Sequence, residues 1–142
     1  MYSKKQINLV SNVLKKNKTN YWTGKECKLF EKEFSNYIGN KYALTLSNGS
    51  VALELALKSL RLKKNDEVLV TSRSFIISAS CVVNLGLKPR FVDVDLNGNL
   101  SIEGIKKAYK KNVKAIIVVH LNGLSCDLDP ILNFVKKKKI FL

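Results

Sequence analysis

Tyr42-Ala-Leu-Thr-Leu-Ser-Asn-Gly-Ser-Val-Ala-Leu-Glu-Leu-Ala-Leu-Lys-Ser-Leu60 decides the fold. Tyr42 to Leu46 predicts a short buried strand, Ser47 to Ser50 a small-residue turn, and the remainder a helix. The turn puts backbone N–H groups and two hydroxyls at a helix N-terminus. First-turn amides have no intrahelical partner and the helix dipole favours negative charge, so Ser47-Asn-Gly-Ser50 is a candidate phosphate cup. It is also readable as a tight strand-to-helix turn that needs one glycine, and the residues alone leave both readings open. No Gly-Lys-Ser/Thr follows, so it is not a P-loop, nor is it G-x-G-x-x-G. Ala52, Leu53, Ala56, Leu57 and Leu60 surround most of the helix and predict that it is largely buried. Glu54 and Lys58, in the favourable i,i+4 order, mark its wet edge.

Outward from this stretch, elements alternate. Upstream, Ser3 and Gln6 form a capping box ahead of the stripe Ile7, Val10, Leu14. Thr23-Gly-Lys-Glu26 reads as a second box, opening a helix with Cys27, Phe30, Phe34 and Tyr37 on one face and Gly39-Asn40 as its stop. Downstream, Glu67 to Thr71 predicts a strand, and Ser72 and Ser74 offer caps for a helix running to about Leu85, ended by Gly86. Pro89 to Val94 is a second strand and Asn97-Gly98 a turn. Ser101 caps a helix carrying Ile102, Ile105 and Tyr109. Ala115 to His120 has no alternation, which predicts a strand covered on both faces. Asp129-Pro130 reads as an N-cap with proline at the first helical position, and that helix ends in Lys136 to Lys139. Ile140 to Leu142 begins a further strand. The expected class is α/β, a three-layer, mostly parallel sheet with helices on both faces. In such sheets ligands bind beyond the strands' carboxyl ends. The loops of interest are therefore Ser47 to Ser50, Ser72 to Phe75, Val94 to Asp95 and His120 to Asp127.

Composition narrows the function. The 142 residues suit one domain or most of one, and 46% hydrophobic content supports a core. No apolar run reaches a membrane span, and the first residues lack the apolar core of a signal peptide, so a cytoplasmic location is expected. Cys27, Cys81 and Cys126 are widely spaced and odd in number, which fits reduced thiols. The formal charge is +14. Its lysines are dispersed, arginines are few (Arg61, Arg73, Arg90) and aromatics are not interleaved, so we read a solvated lysine-rich surface rather than a nucleic-acid interface.

Several residues can carry chemistry. Phe75 lies at a strand's carboxyl end, where an aromatic can stack on a planar ring held by the cup or can belong to the core. His120, the one histidine, is near Cys126, Asp127 and Asp129, but the spacing is not a metal-ligand pattern, and we read a hydrogen-bonded structural histidine. A Cys–His pair through Cys81 or Cys126 has no supporting pattern. Asp93 and Asp95 can bind metal or act as acid and base; we read them as ending the strand and making Asx turns.

These pieces, in this order, resemble the DegT/DnrJ/StrS family of sugar aminotransferases, fold-type-I enzymes that use pyridoxal phosphate (PLP). The likeness runs through Thr23-Gly24, Phe30-Glu31, Phe34, Tyr42-Ala43, Ser47 to Leu53, Ala56-Leu57 and Asn65 to Val68. It continues through Ser72 to Phe75, Gly86, Pro89, Phe91 to Asp93, Lys114 to Ile117, His120 to Gly123 and Asp129 to Ile131. Each motif is loose; the ordered set is specific. The resemblance implies that residues 1–24 form an N-terminal helix and arm, and residues 25–142 an incomplete PLP-binding large domain lacking its C-terminal part. It implies that the Gly49, Ser50 and Val51 amides, with the Ser50 hydroxyl, hold the cofactor phosphate and that Phe75 stacks on the pyridine ring. His120 to Gly123 would lie near the pocket, and Trp22 to Gly24 near the interface of a homodimer. No metal is implied.

The resemblance also implies a nucleotide-sugar substrate with a keto group, an amino-acid donor such as glutamate, and products for surface polysaccharide or glycan synthesis. Thr71 departs from the family's proline, Ser50 from its commoner threonine, and Arg73 from a smaller or apolar residue. Arg73 can reach a nucleotide-sugar phosphate or point to solvent. PLP chemistry needs a covalently bound lysine and an acidic partner for the pyridine nitrogen. In the family both follow the strand that starts here at Ile140, and no lysine of this chain matches that context, so no catalytic residue is assigned. Related PLP-dependent dehydratases place another residue where the lysine would be.

Overall fold

A computed structural model describes residues 1–142. They form two compact units, Met1–Ser47 and Asn48–Leu142. The first holds helices α1 (Lys4–Lys15) and α2 (Glu26–Ile38). The Ser3–Gln6 capping box is present in full, with the Ser3 N–H donating to Gln6 Oε1 at 2.8 Å and the Gln6 N–H to Ser3 Oγ at 3.3 Å. The second expected box is not. Asn20 Oδ1 accepts from the Trp22 N–H, the Thr23 N–H and the Thr23 hydroxyl at 2.9 to 3.0 Å, so Thr23 is committed to this Asx turn. The N-cap of α2 is Lys25, without a side-chain cap. Gly24 is required there: a Cβ would sit 2.5 Å from the Lys18 carbonyl oxygen.

Tyr42 to Leu46 does not form the expected buried strand. It joins no ladder, and Leu44 is 64% exposed. The other elements of this unit are helices, so the segment has no strand to pair with there, and unpaired strands do not persist. A carboxylate holds it instead. Glu31 Oε1 accepts from the Thr45 N–H and hydroxyl, each at 2.8 Å, and Glu31 Oε2 from the Tyr21 hydroxyl at 3.3 Å. Those Thr45 donors hold the Glu31 carboxyl below the usual range.

The second unit is the α/β layer structure. Strands β1 (Glu67–Thr71), β2 (Lys88–Val92) and β3 (Val113–Ile117) form a parallel sheet in the order β2-β1-β3. Phe141 pairs in parallel with Ala115, so Ile140 to Leu142 does open a further strand beyond β3. Alternation along β1 sorts the core. Val68 and Val70 face Leu57, Cys81, Val82 and Leu87 of α3 (Gly49–Ser59), α4 (Ile77–Asn84) and the turn that follows α4. Leu69 faces the other way, onto Ile105 of α5 (Ile102–Ala108) and Ile131 and Val135 of α6 (Leu128–Lys138). Ala115 and Ile116 of β3 divide between the same two layers, as a strand covered on both faces requires.

Four local expectations are corrected. First, α3 buries only Leu57 completely; Val51 and Leu55 are each 44% exposed, because nothing in its unit covers that side. Second, α4 begins at Ile77, and neither Ser72 nor Ser74 caps it, since the Ser74 hydroxyl turns to the Phe75 carbonyl. Third, β3 ends at Ile117, leaving His120 in the following loop. Fourth, the N-cap of α6 is Asp127 and Pro130 lies within its first turn, where a missing N–H still costs no helical bond.

Arg90 of β2 reaches back diagonally to Glu67 at the start of β1, with its Nη2–H donating to Oε1 at 2.9 Å and its Nε–H to Oε2. This pairing holds the Glu67 carboxyl below its ordinary value. The contribution is therefore complete above the unfolded carboxyl's pKa, about 4.3, and is lost as pH falls through the lower folded value. Arg90→Met should lower unfolding free energy at neutral pH by roughly 1 kcal/mol. Urea titrations should show the difference from the parent closing in acid; a gap unchanged by pH would assign the loss to packing of the arginine stem.

Candidate functional site

Parallel strands fix where the helices begin. Because α3 ends in the turn that feeds β1, it runs antiparallel to that strand. Eleven helical residues span about 16 Å and five strand residues about 16 Å, so the start of α3 lies level with the carboxyl end of β1. Asn48 caps it in an extended conformation. Its side chain accepts from the Val51 N–H at 3.0 Å and its carbonyl from the Ala52 N–H at 3.2 Å. The Gly49 and Ser50 amides are left without partners inside the helix. An incoming anion meets these two directly, together with the Ser50 hydroxyl; it meets the Val51 amide only if it displaces the Asn48 side chain.

Gly49 separates the two readings of this turn. Its φ is not positive, and a Cβ built on it would meet nothing within 4 Å. Neither backbone conformation nor packing within the chain calls for glycine here. What its missing side chain does provide is open space for close approach to the first-turn amides.

Phe75 sits in the connection from β1 to α4 and is 73% exposed. It is not core. Its loop is held by Thr71, buried at the end of β1, whose Oγ1 accepts from the Arg73 N–H at 3.2 Å. The Arg73 side chain lies along the Gly98 turn, its Nη1 3.0 Å from where a Gly98 Cβ would stand. Gly98 has φ +83° and that Cβ would also come within 2.8 Å of Leu121 Cδ2, so this position requires glycine.

Asp95 makes the expected Asx turn, its Oδ1 accepting from the Asn97 and Asn99 N–H groups at 2.9 and 3.0 Å. Asn99, not singled out in the sequence beside the Asn97-Gly98 turn, is the connector. It is 3% exposed, accepts from the Leu121 N–H at 3.1 Å and donates from Nδ2 to the Leu124 carbonyl at 2.9 Å. It thereby ties the loop after β2 to the loop after β3, where Asn122 holds φ +53°.

His120 is hydrogen-bonded, as expected: Nδ1 accepts from the Cys126 N–H at 3.1 Å. The Cys126 thiol donates to the Val119 carbonyl at 3.3 Å, and burial pushes its pKa up. The thiol therefore stays protonated and is engaged with a backbone carbonyl. Burial likewise raises the Cys81 thiol, on the core face of α4. No three His, Cys, Asp or Glu side chains converge as a metal site. The features left open to a ligand are the first amides of α3 and the exposed ring of Phe75.

Asn99→Ala should speed amide exchange at Leu121 by about tenfold or more and cost about 1–3 kcal/mol of stability. Asn99→Asp, which keeps the acceptor, should retain part of the Leu121 protection. Unchanged exchange in Asn99→Ala would show that the loop is held by other contacts.

The model of the DegT/DnrJ/EryC1/StrS aminotransferase family matches residues 2–142. The solved aminotransferase of Psychrobacter cryohalolentis is 42% identical and superposes with a TM-score of 0.94, over 99% of this chain and 36% of that one. A GDP-4-keto-6-deoxymannose-3-dehydratase, solved with a trapped PLP-glutamate geminal diamine, is 30% identical with a TM-score of 0.90, over all of this chain and 38% of that one. GDP-perosamine synthase of Vibrio cholerae is 32% identical over 84% of this chain and 33% of its own length. The chain thus spans about a third of the length of its relatives.

Proposed function

The chain belongs to the DegT/DnrJ/EryC1/StrS aminotransferase family, and from that premise we propose that it supplies the phosphate-binding part of a PLP-dependent sugar aminotransferase. The observation that carries this reading is Gly49: a glycine needed by neither backbone nor packing, at the start of a helix that opens beside the strands' carboxyl ends. The Gly49 and Ser50 amides and the Ser50 hydroxyl would take the phosphate, with Val51 joining if Asn48 yields its amide. The exposed ring of Phe75 would lie against the pyridine face. These residues fit the group: an anion meets unpartnered donors and a flat ring meets an open aromatic. The bound cofactor supplies an electron sink that lets an amino group pass between a donor and a keto carbon. This chain's own contribution is to bind and orient it and, through Asn99 and Thr71, to hold the surrounding loops.

In this reading residues 1–24 are an N-terminal helix and arm, and residues 25–142 part of the PLP-binding large domain. The substrate is a nucleotide-linked keto sugar, the donor an amino acid such as glutamate, and the parent enzyme a cytoplasmic homodimer with Trp22 to Gly24 near its interface. Products would feed surface polysaccharide or glycan synthesis. The names of the relatives support a nucleotide-linked sugar. A second reading, a PLP-dependent sugar dehydratase, is favoured by the likeness to the 3-dehydratase.

Titration of the protein with PLP, followed by absorbance, tests the cup. Ser50→Ala should weaken binding about 5- to 10-fold through loss of one charge-assisted hydrogen bond. Phe75→Ala should weaken it by about 2- to 10-fold. Gly49→Ala should weaken binding while leaving stability equal or up to about 1 kcal/mol higher. If Gly49→Ala lowers stability and leaves PLP binding intact, the turn is structural and the reading fails.

With PLP, glutamate and a keto-sugar nucleotide, the 142-residue chain should give no sustained amination, because no lysine in it matches the family's covalent position. Sustained turnover by this chain would contradict that assignment. In the whole protein, release of an aminated sugar supports the transferase and loss of a hydroxyl supports the dehydratase.

A further inference from the structure

The charge of residues 48–142 is sorted by end. All thirteen of their lysines fall in the last turns of α3, α5 and α6, in the turns that lead into strands, or in the first two positions of a strand. Each of these places is at the amino end of the parallel sheet. Of the eight carboxylates only Asp66 and Glu67 share that end, and both are engaged. Asp66 Oδ2 accepts from the Lys63 N–H at 2.8 Å, and Glu67 pairs with Arg90. Glu54 stands midway along α3, and Asp93, Asp95, Glu103, Asp127 and Asp129 lie toward the opposite end, where Arg73 is the arginine.

Helix dipoles favour cations in the last turns. They do not account for Lys63, Lys64, Lys88, Lys110 and Lys111, which stand in turns or at a strand start and are all exposed. Nor does the candidate PLP site, which lies at the other end of the strands. The asymmetry therefore marks a separate surface, one that stands whether or not the PLP reading holds.

We propose that this amino end is an electrostatic docking face for an anionic phospholipid bilayer. The lysines come from several connections side by side across the sheet, which spreads the charge over a face rather than focusing it in a cleft. A diffuse, planar array of negative headgroups matches that layout, and clustered lysines are drawn to such surfaces within a Debye length. Lysine in place of arginine suits unspecific attraction better than bidentate recognition of single phosphates. The connections are short and offer no helix or ribbon for a nucleic-acid groove. Tyr109 and Phe134 are half-buried with the Lys138 ammonium 4.9 Å from the Tyr109 ring centre, which leaves Phe141 as the one exposed ring nearby, short of the succession of aromatics on which bases stack.

Co-sedimentation of the protein with vesicles tests this. Phosphatidylcholine vesicles should leave it in solution, and vesicles with about a third phosphatidylglycerol should carry it down, with binding falling at least about tenfold between low and high salt. The exposed triple variant Lys63→Glu, Lys110→Glu, Lys137→Glu should lose binding, with its fold checked by circular dichroism. A control with the same charge change elsewhere, Lys4→Glu, Lys15→Glu, Lys32→Glu, should keep it. Equal loss in both variants would reduce the effect to net charge and overturn the proposal. So would absence of vesicle binding, or binding to duplex DNA or poly-glutamate in its place.

Discussion

Parallel pairing of β1 with β2 and β3 is the constraint on which residues 48–142 depend. A parallel neighbour cannot be reached by a hairpin, so each connection must cross back over the sheet, here as a helix. Every such helix begins beside the strands' carboxyl ends and finishes beside their amino ends. That one rule gathers the helix starts, their unpartnered amides and the loops after β1, β2 and β3 at a single end. It gathers the last helical turns and their lysines at the other. Candidate binding site and basic face are two consequences of the same topology.

At the carboxyl end the parts support one another locally. Asn48 caps α3 while leaving two amides unpartnered within the helix, Thr71 holds the loop that presents Phe75, and Asn99 fastens the loop after β3 to the turn after β2. The thiols of Cys81 and Cys126 are buried and protonated, and the exposed His120 imidazole anchors its loop through Nδ1. Under the proposed function, this end would place a phosphate and a ring. The covalent and acid–base groups of transamination are assigned to no residue of this chain.

The α/β class, the existence of β1, β2 and β3 and the two-sided burial of β3 were legible because periodicity and turn chemistry report local geometry directly, though the ends of β2 and β3 shifted by one to three residues. So were the Ser3 box and the Asp95 turn, where each donor and acceptor lies within four residues of its partner. Three things were not legible. Tyr42 to Leu46 carries a strand's residue types, but a strand exists only where another lies beside it, and composition does not say so. The apolar sequence of α3 states that its surface seeks cover, not that its own unit supplies it. Asn99 looks like any turn residue until its partners, 22 and 25 positions away, are known. Of the candidate site, Ser47 to Ser50 was singled out by its turn chemistry and Phe75 received a role only through the family resemblance, whereas the argument from Gly49 needed atoms around it.

The most direct measurement is a crystal structure of the protein with PLP bound. The account predicts the phosphate within hydrogen-bond reach of the Gly49 and Ser50 amides, with the pyridine ring against Phe75. Phosphate bound among the lysines of the sheet's amino end, with the start of α3 left to solvent, would contradict it.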